Sequence, residues 1–320
     1  MVDYTDRGPR KLDRREFLRR TAGTGAGLAC APSWMGRAAE SLPNPLAYAT
    51  ISWPDNEFST ALETISALRF QGAQMLNWVC DAYRGARVAE LRRQLTELKL
   101  QAVALSCHNI RLDPARLEDE TDKLRADAEF FQKLGGLYLQ VTDRGEPNRR
   151  YPDEMFQLLG ARLNQLGDVA RDFGLQLAYH PHDRTIGQTR EGLGRVLDAT
   201  DSTRVKLVAD VAHLALGGCD PAEVIRTYHQ RLIATHLKDV RSEVLDLARR
   251  DHDLVRSAKY RFCEIGQGGV NFQAIIAAFR DVQFQGWVIC ELDAYEPRTG
   301  GAATSAEMNR DAVRKLGFRI

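Results

Sequence analysis

The sequence is short of cysteine. Six cysteines in 320 residues, with no CxxC pair and no Cys/His spacing of a structural zinc site, exclude a disulfide scaffold or a zinc-ribbon module. It also lacks an excess of either charge: 44 Lys plus Arg against 43 Asp plus Glu give a net charge of +1. No global field recruits nucleic acid or an anionic membrane surface, so a basic nucleic-acid binder is excluded as the expectation. No GxGxxG turn follows the first apolar strand, which removes the dinucleotide-binding reading. What is present is 44% hydrophobic and 27% charged residues, enough apolar material for one sizeable core.

The first forty residues differ from the rest. Arg7, Arg10, Lys11, Arg14, Arg15, Arg19 and Arg20 precede the small-residue stretch TAGTGAGLACA from Thr21 to Ala31. That is a basic region followed by a short, weakly apolar one, the order of an export signal. DRREFLRR resembles a twin-arginine signal, with Arg14 and Arg15 paired and Phe17 and Leu18 following. Eleven mild residues interrupted by Gly23, Gly25 and Gly27 are too short to span a bilayer. Cleavage after Ala38 would leave residues 39–320 as one domain, periplasmic or secreted, with the twin-arginine export machinery as a partner. The bland reading is a basic tail. Removal of 1–38 takes away eight basic and four acidic residues and moves the net charge from +1 to −3. Folding before export would also allow a cofactor to be bound beforehand.

From Leu46 onward, eight short apolar runs alternate with longer amphipathic segments. The runs are LAYATISW from Leu46, AQMLN from Ala73, AVALSC from Ala102, LYLQVT from Leu137, LQLAYH from Leu175, VKLVAD from Val205, LIATHL from Leu232 and WVICEL from Trp287. Continuous apolar runs suit parallel strands buried on both faces. Between them, Met155, Leu158, Leu159, Leu166, Val169, Ala170 and Phe173 recur at helical spacing, and Gly135, Gly174 and Gly286 stand just before strands as helix terminators. Eight such units in about 280 residues predict an α/β fold, a single-domain (β/α)8 TIM barrel. One charged segment, Arg241 to about Tyr260, reads as a long loop or extra helix over the mouth.

In such a barrel the C-terminal strand ends carry the chemistry. Here they carry His108, His180 with His182, Asp210 with His213, His236 with Lys238, and Glu291 with Asp293, bringing five of the seven histidines to one rim. Each has a structural alternative. A strand-end His is often only hydrogen-bonded, Asp210 would cap the helix after it, and Glu291 would sit in a surface salt bridge. Together, His, Asp, His and Glu from four neighbouring strands make a mixed N/O site for Mn²⁺, Co²⁺, Zn²⁺ or Fe²⁺.

The stretches YHPHDRTIGQT (179–189), DVAHLALGG (210–218), HLKDVRSEV (236–244), GQGGVNF (266–272) and GWVICELD (286–293) resemble the xylose-isomerase-like TIM barrels of the sugar-phosphate isomerase/epimerase group, and within them the inosose dehydratases. That resemblance implies a divalent metal held by residues of strands five to eight. Asp210, His236 and Glu291 match three of the ligands. The strand-five Glu is absent, and His180 takes its place, leaving His180, His182 or water as the fourth ligand and favouring Mn²⁺, Co²⁺ or Zn²⁺ over Mg²⁺. His213 matches the substrate-binding His of the family. His182, His213, Lys238 and Glu264 are the catalytic candidates; Trp53, His108 and Arg241 are the substrate-binding ones, with Trp53 and Trp78 alternatively packing a lid. Asn271 is expected to cap a helix.

The implied activity is proton abstraction beside the carbonyl of a keto-sugar or keto-cyclitol followed by dehydration or another β-elimination. A sugar isomerase or epimerase needs the same machinery, and a noncatalytic carbohydrate-binding barrel is the reading of another class. The expected partners are a small sugar or cyclitol and no nucleic acid; assembly into a homo-oligomer is left open.

Overall fold

The computed structural model describes residues 41–113, 115, 117–145, 150–250, 255 and 260–320. The proposed export signal at 1–38, with Arg14, Arg15 and Cys30, lies outside the described residues. The eight apolar runs form eight parallel strands: β1 Leu46–Ala49, β2 Gly72–Leu76, β3 Gln101–Ser106, β4 Tyr138–Val141, β5 Gln176–Tyr179, β6 Val205–Asp210, β7 Leu232–Leu237 and β8 Trp287–Cys290. They pair in chain order, and β8 closes on β1. The first run is shorter than its apolar stretch suggests, because Thr50–Ser52 turns into a 3-10 helix.

Alternation along each strand sorts side chains between two cores. Outward residues such as Leu139, Leu177 and Leu207 pack beneath the helices in the larger cluster. Inward residues, among them Tyr138, Ala178, Val208, Ala234 and Ile289, fill the barrel. Two positions further along the same strands the period brings Gln140, His180, Asp210, His236 and Glu291 to the inner face, above this apolar floor. Asp210 is opposite His236 across β6–β7, while across β7–β8 His236 is opposite Ile289, so Glu291 stands two residues further along its strand direction. The site is thus a consequence of period-two geometry applied to strands whose last inward residue is polar.

The helices follow the expected pattern with two differences. Helix α5, here counted from α1 Phe58–Ala67, α2 Trp78–Tyr83, α3 Arg87–Glu97 and α4 Leu117–Lys133, spans Asp153–Asp172 and buries Phe156, Leu159, Leu163, Leu166 and Ala170. Leu158, placed on the buried stripe by spacing, is 42% exposed. Gly135 and Gly174 have φ of +73° and +71°, as terminators should. Gly286 has a different reason to be glycine: a Cβ there would lie 2.4 Å from the Ile233 carbonyl oxygen, and Gln283 takes the positive φ instead.

The segment after β7 leaves the barrel. Asp239–Val240 pairs antiparallel with Phe262–Cys263 in a two-stranded ribbon, and helix Ser242–Arg250 lies within the excursion. Asp239 organises its base. Its carboxylate accepts the N–H groups of Gly266 and Gly268 at 2.9 Å and of Val270 at 3.1 Å, which explains the GQGG sequence as a turn wrapped on one buried anion. Asn271 caps the next helix, Phe272–Asp281, by accepting Ala274 N–H.

Candidate metal centre

Asp210 satisfies both readings of its position, one oxygen each. Oδ1 accepts the N–H groups of Ala212 and His213 at 2.9 and 3.0 Å, starting the helix Val211–Leu216. Oδ2 has no hydrogen-bond partner although it is fully buried. Around it stand His180 Nε2 at 3.5 Å and His236 Nδ1 at 3.5 Å. His236 Nδ1 is in turn 3.3 Å from Glu291 Oε2. Among the described residues His180, Asp210 and His236 form a group whose ligand atoms lie within 4.8 Å of one another. His180 Nε2, Asp210 Oδ2 and both ring nitrogens of His236 lack hydrogen-bond partners. Buried polar atoms are seldom left without a partner, and one such atom from each of His180, Asp210 and His236, within 4.8 Å of one another, fits a divalent cation, which this donor set suits.

Side chains behind this layer orient it. Gln74 donates to Glu291 Oε2 at 2.7 Å. The Gln140 amide lies 2.9 Å from His180 Nδ1 and 3.1 Å from Ser106 Oγ. A ligating imidazole whose far nitrogen is held keeps its orientation and tautomer.

Lys238, two residues beyond His236 and therefore also inward, has no exposed surface. Burial disfavours its charge, but Asp293, Glu291 and Asp210 outweigh it and raise its pKa well above the usual lysine range. Its Nζ is 2.9 Å from Glu291 Oε1 and 3.7 Å from Asp210 Oδ2, and it also pairs with Asp293. The same charges act on the ligands. Burial lowers His180 to about 4, keeping it neutral and able to bind metal. His236 is lifted to about 9 against burial by Glu291 and Asp210, so it carries a proton that a metal would have to replace.

A second group flanks the first. His182 and His213 stack with ring centroids 3.8 Å apart and planes at 15°. His213 Nδ1 is 2.7 Å from Asp183 Oδ1, and its Nε2 is 3.3 Å from Lys238 Nζ. Burial, reinforced by His213 and His180, pushes His182 well below the usual histidine range.

Four of the five rim histidines therefore come together. His108 does not join them: its half-exposed ring bonds Asn77 and approaches Asp127 at 3.8 Å. Trp53 is 6% exposed and packs edge-on against Tyr48, a core role. Trp78 packs likewise on Phe58. Arg241 is taken up by Glu296 and the Tyr260 carbonyl. Glu264 accepts from Ser305 at 2.7 Å, beside Asn309 and away from the ligand layer. Gln74, Gln140 and Asp183 complete the site without having been singled out, and Asp293, expected at the rim, pairs with Lys238. The signal for the glutamines was a polar residue at the last inward position of an otherwise apolar strand.

A family profile described as xylose isomerase-like TIM barrel matches residues 62–312. An inosose dehydratase of Geobacillus kaustophilus is 30% identical over 241 residues, covering 71% of this chain and 78% of its own length. Among solved structures, one described as IOLI protein with a bound zinc atom superposes with a TM-score of 0.71 at 16% identity, over 86% of this chain and all of the other. A probable 3-DHS dehydratase of Bacillus anthracis gives 0.68 at 15% identity, over 82% and 97%.

Proposed function

The chain belongs to the xylose isomerase-like TIM barrel family, and from that premise we propose that it is a divalent-metal-dependent lyase. It removes a proton beside the carbonyl of a keto-sugar or keto-cyclitol and expels a β-hydroxyl as water. The observation that carries this reading is the convergence of His180, Asp210 and His236, with unpartnered donor atoms, at the end of an otherwise apolar barrel. The inosose dehydratase relative supports a cyclitol-like substrate, and the zinc in the IOLI structure supports a metal of that class.

A bound divalent cation supplies a Lewis acid for the carbonyl oxygen, which makes the adjacent C–H acidic. His180, Asp210 and His236 would hold it, with Glu291 beside them. His213 offers the base: its Nε2 faces Lys238, on the metal side of the ring. The α-proton goes to Nε2, the C–H pair becomes the C=C bond, and the β C–O bond breaks. The proton then leaves with the hydroxyl, so the reaction releases water and the ring ends as it began. Burial and two neighbouring imidazoles make protonated His182 costly, which suits a ring that packs beneath His213 rather than one that donates to the leaving group.

The test begins with bound metal, measured on the purified protein. Keto-sugars and keto-cyclitols are then incubated in D₂O and followed for α-deuteration and for enone absorbance. Dehydration gives the enone; α-exchange with the hydroxyl retained means isomerisation or epimerisation; neither, across the panel and without metal, refutes an enzyme. Asp210→Ala is expected to abolish metal binding, and retention of metal would put the site elsewhere. We propose in addition that residues 1–38 direct twin-arginine export, which makes free sugars or oxidised glycosides the natural substrates. Replacing both Arg14 and Arg15 by Lys should then hold the protein in the cytoplasm, and undiminished periplasmic yield would remove the proposal.

A further inference from the structure

We infer that Asp183 is the positioning residue that makes His213 a base, by fixing which ring nitrogen carries the proton. The inference rests on the reaction proposed above. Asp183 is 5% exposed, and it meets a donor on each oxygen: Oδ1 lies 2.7 Å from His213 Nδ1, while Oδ2 takes Arg261 Nη1 at 2.8 Å and Arg184 Nε at 3.3 Å. The bond to His213 and then the two guanidinium groups keep this carboxyl ionised against its burial, and an ionised carboxylate can only accept. His213 Nδ1 must therefore be the N–H, and on the other side of the ring the Lys238 ammonium, which can only donate, makes Nε2 the acceptor.

That lone pair faces the metal side, 3.3 Å from Lys238 Nζ. Arg261, Asp183, His213 and Lys238 thus form one alternating chain from the ribbon, where Arg261 precedes Phe262, to the ligand layer. The ring is fixed in every direction. His182 lies flat against one face and Phe262 meets it at 71° with centroids 5.2 Å apart. The loop carrying Asp183 is held as firmly. Arg184 adopts φ +70°, uncommon for a residue other than glycine. Its N–H donates to Gln188, and its carbonyl accepts Gly145 N–H at 3.2 Å. An aspartate that left His213 free to change tautomer would place N–H, not a lone pair, toward the substrate. The backbone N–H of Asp183 also points at His213 Nδ1, at 3.4 Å, but this contact is longer than the carboxylate's.

The decisive variant is Asp183→Asn, compared with His213→Gln and the double variant in the metal-loaded protein. Asp183→Asn is expected to lower kcat by about 100-fold, the lower range of what a positioned base contributes, with KM and metal content unchanged. In the His213→Gln background the same change should cost less than about 2-fold, since a residue that acts through another has nothing left to act on. Independent, additive losses would overturn the inference. The second readout needs no turnover: ¹⁵N-histidine spectra of the wild type should show His213 protonated on Nδ1, with that proton shifted downfield, and Asp183→Asn should lose the signal. Wild-type His213 protonated on Nε2 would refute the positioning role whatever the substrate. Absence of turnover with the expected tautomer would refute the reaction and leave Asp183 in place.

Discussion

Replacing Lys238 by methionine keeps the length of the stem and removes the cation. The ammonium group has no exposed surface and sits 2.9 Å from Glu291 and 3.7 Å from Asp210, with Asp293 also paired to it. Taking away one partner of a buried ion pair costs about 3–5 kcal/mol, because the remaining charge is stranded. Here the stranded charges belong to the ligand carboxylates, so a divalent cation should replace the missing one. In the presence of chelator, Lys238→Met is expected to lose about 3–5 kcal/mol of unfolding free energy in urea titrations followed by circular dichroism. With saturating Mn²⁺ or Zn²⁺ the deficit relative to wild type should shrink to about 1 kcal/mol, since metal and lysine neutralise the same oxygens. Coupling of this kind is reciprocal. A recovery of about 2 kcal/mol or more must therefore appear also as at least roughly 30-fold tighter metal binding by the variant. A deficit that is the same with and without metal would refute the reasoning, and so would a loss under about 1 kcal/mol in chelator.

Two further outcomes follow from side chains behind the ligand layer. Gln140→Leu releases His180 Nδ1 from its 2.9 Å contact and is expected to weaken metal binding about 10–100-fold in chelator competition; unchanged affinity would mean that His180 is not a ligand. Asp143, 2% exposed and bonded to Tyr179 and to Ile186 N–H, is lifted by burial to about 6. Its folded pKa lies above the unfolded value of about 3.9, so the stability it contributes is complete below about pH 4 and lost as the pH rises through about 6. Between pH 4 and 7 the unfolding free energy of the wild type should fall by about 2 kcal/mol relative to Asp143→Asn, and a pH-independent difference would refute the assignment.

The barrel was legible because apolar runs and helical spacing are local signals, and eight repeats of them leave few topologies. The polar layer at the end of the barrel was legible because its residues stand at, or just beyond, the last inward positions of β5 to β8. What lay outside sequence reasoning was the partner of each side chain. His108 and His236 both stand at the end of an apolar strand, yet one meets Asn77, which lies beyond β2, and the other meets Asp210 and Glu291 at the ends of the strands on either side. Arg241 and Arg261 flank the same excursion, and only the ribbon's pairing turns Arg261 toward Asp183 while Arg241 goes to Glu296. Glu264 reads as a rim carboxylate by position, but the turn wound on Asp239 carries it to Ser305.

The charges of the site bear on the histidine that follows β5. Asp210 and Glu291 bring two buried negative charges, the partly exposed Asp293 brings a third, and Lys238 brings one positive. A divalent cation beside them completes neutrality with no remainder. A carboxylate in place of His180, next to Asp210 at 3.5 Å, would put a further negative charge into a buried layer. His180, held neutral by its burial, supplies a lone pair without that charge. A cation held by His180, Asp210 and His236 would therefore meet a neutral donor from His180 and the charge of Lys238 beside the two buried carboxylates. Developing negative charge on a substrate oxygen would then meet a neutral site rather than an anionic one, which is the electrostatic condition for stabilising an enolate there.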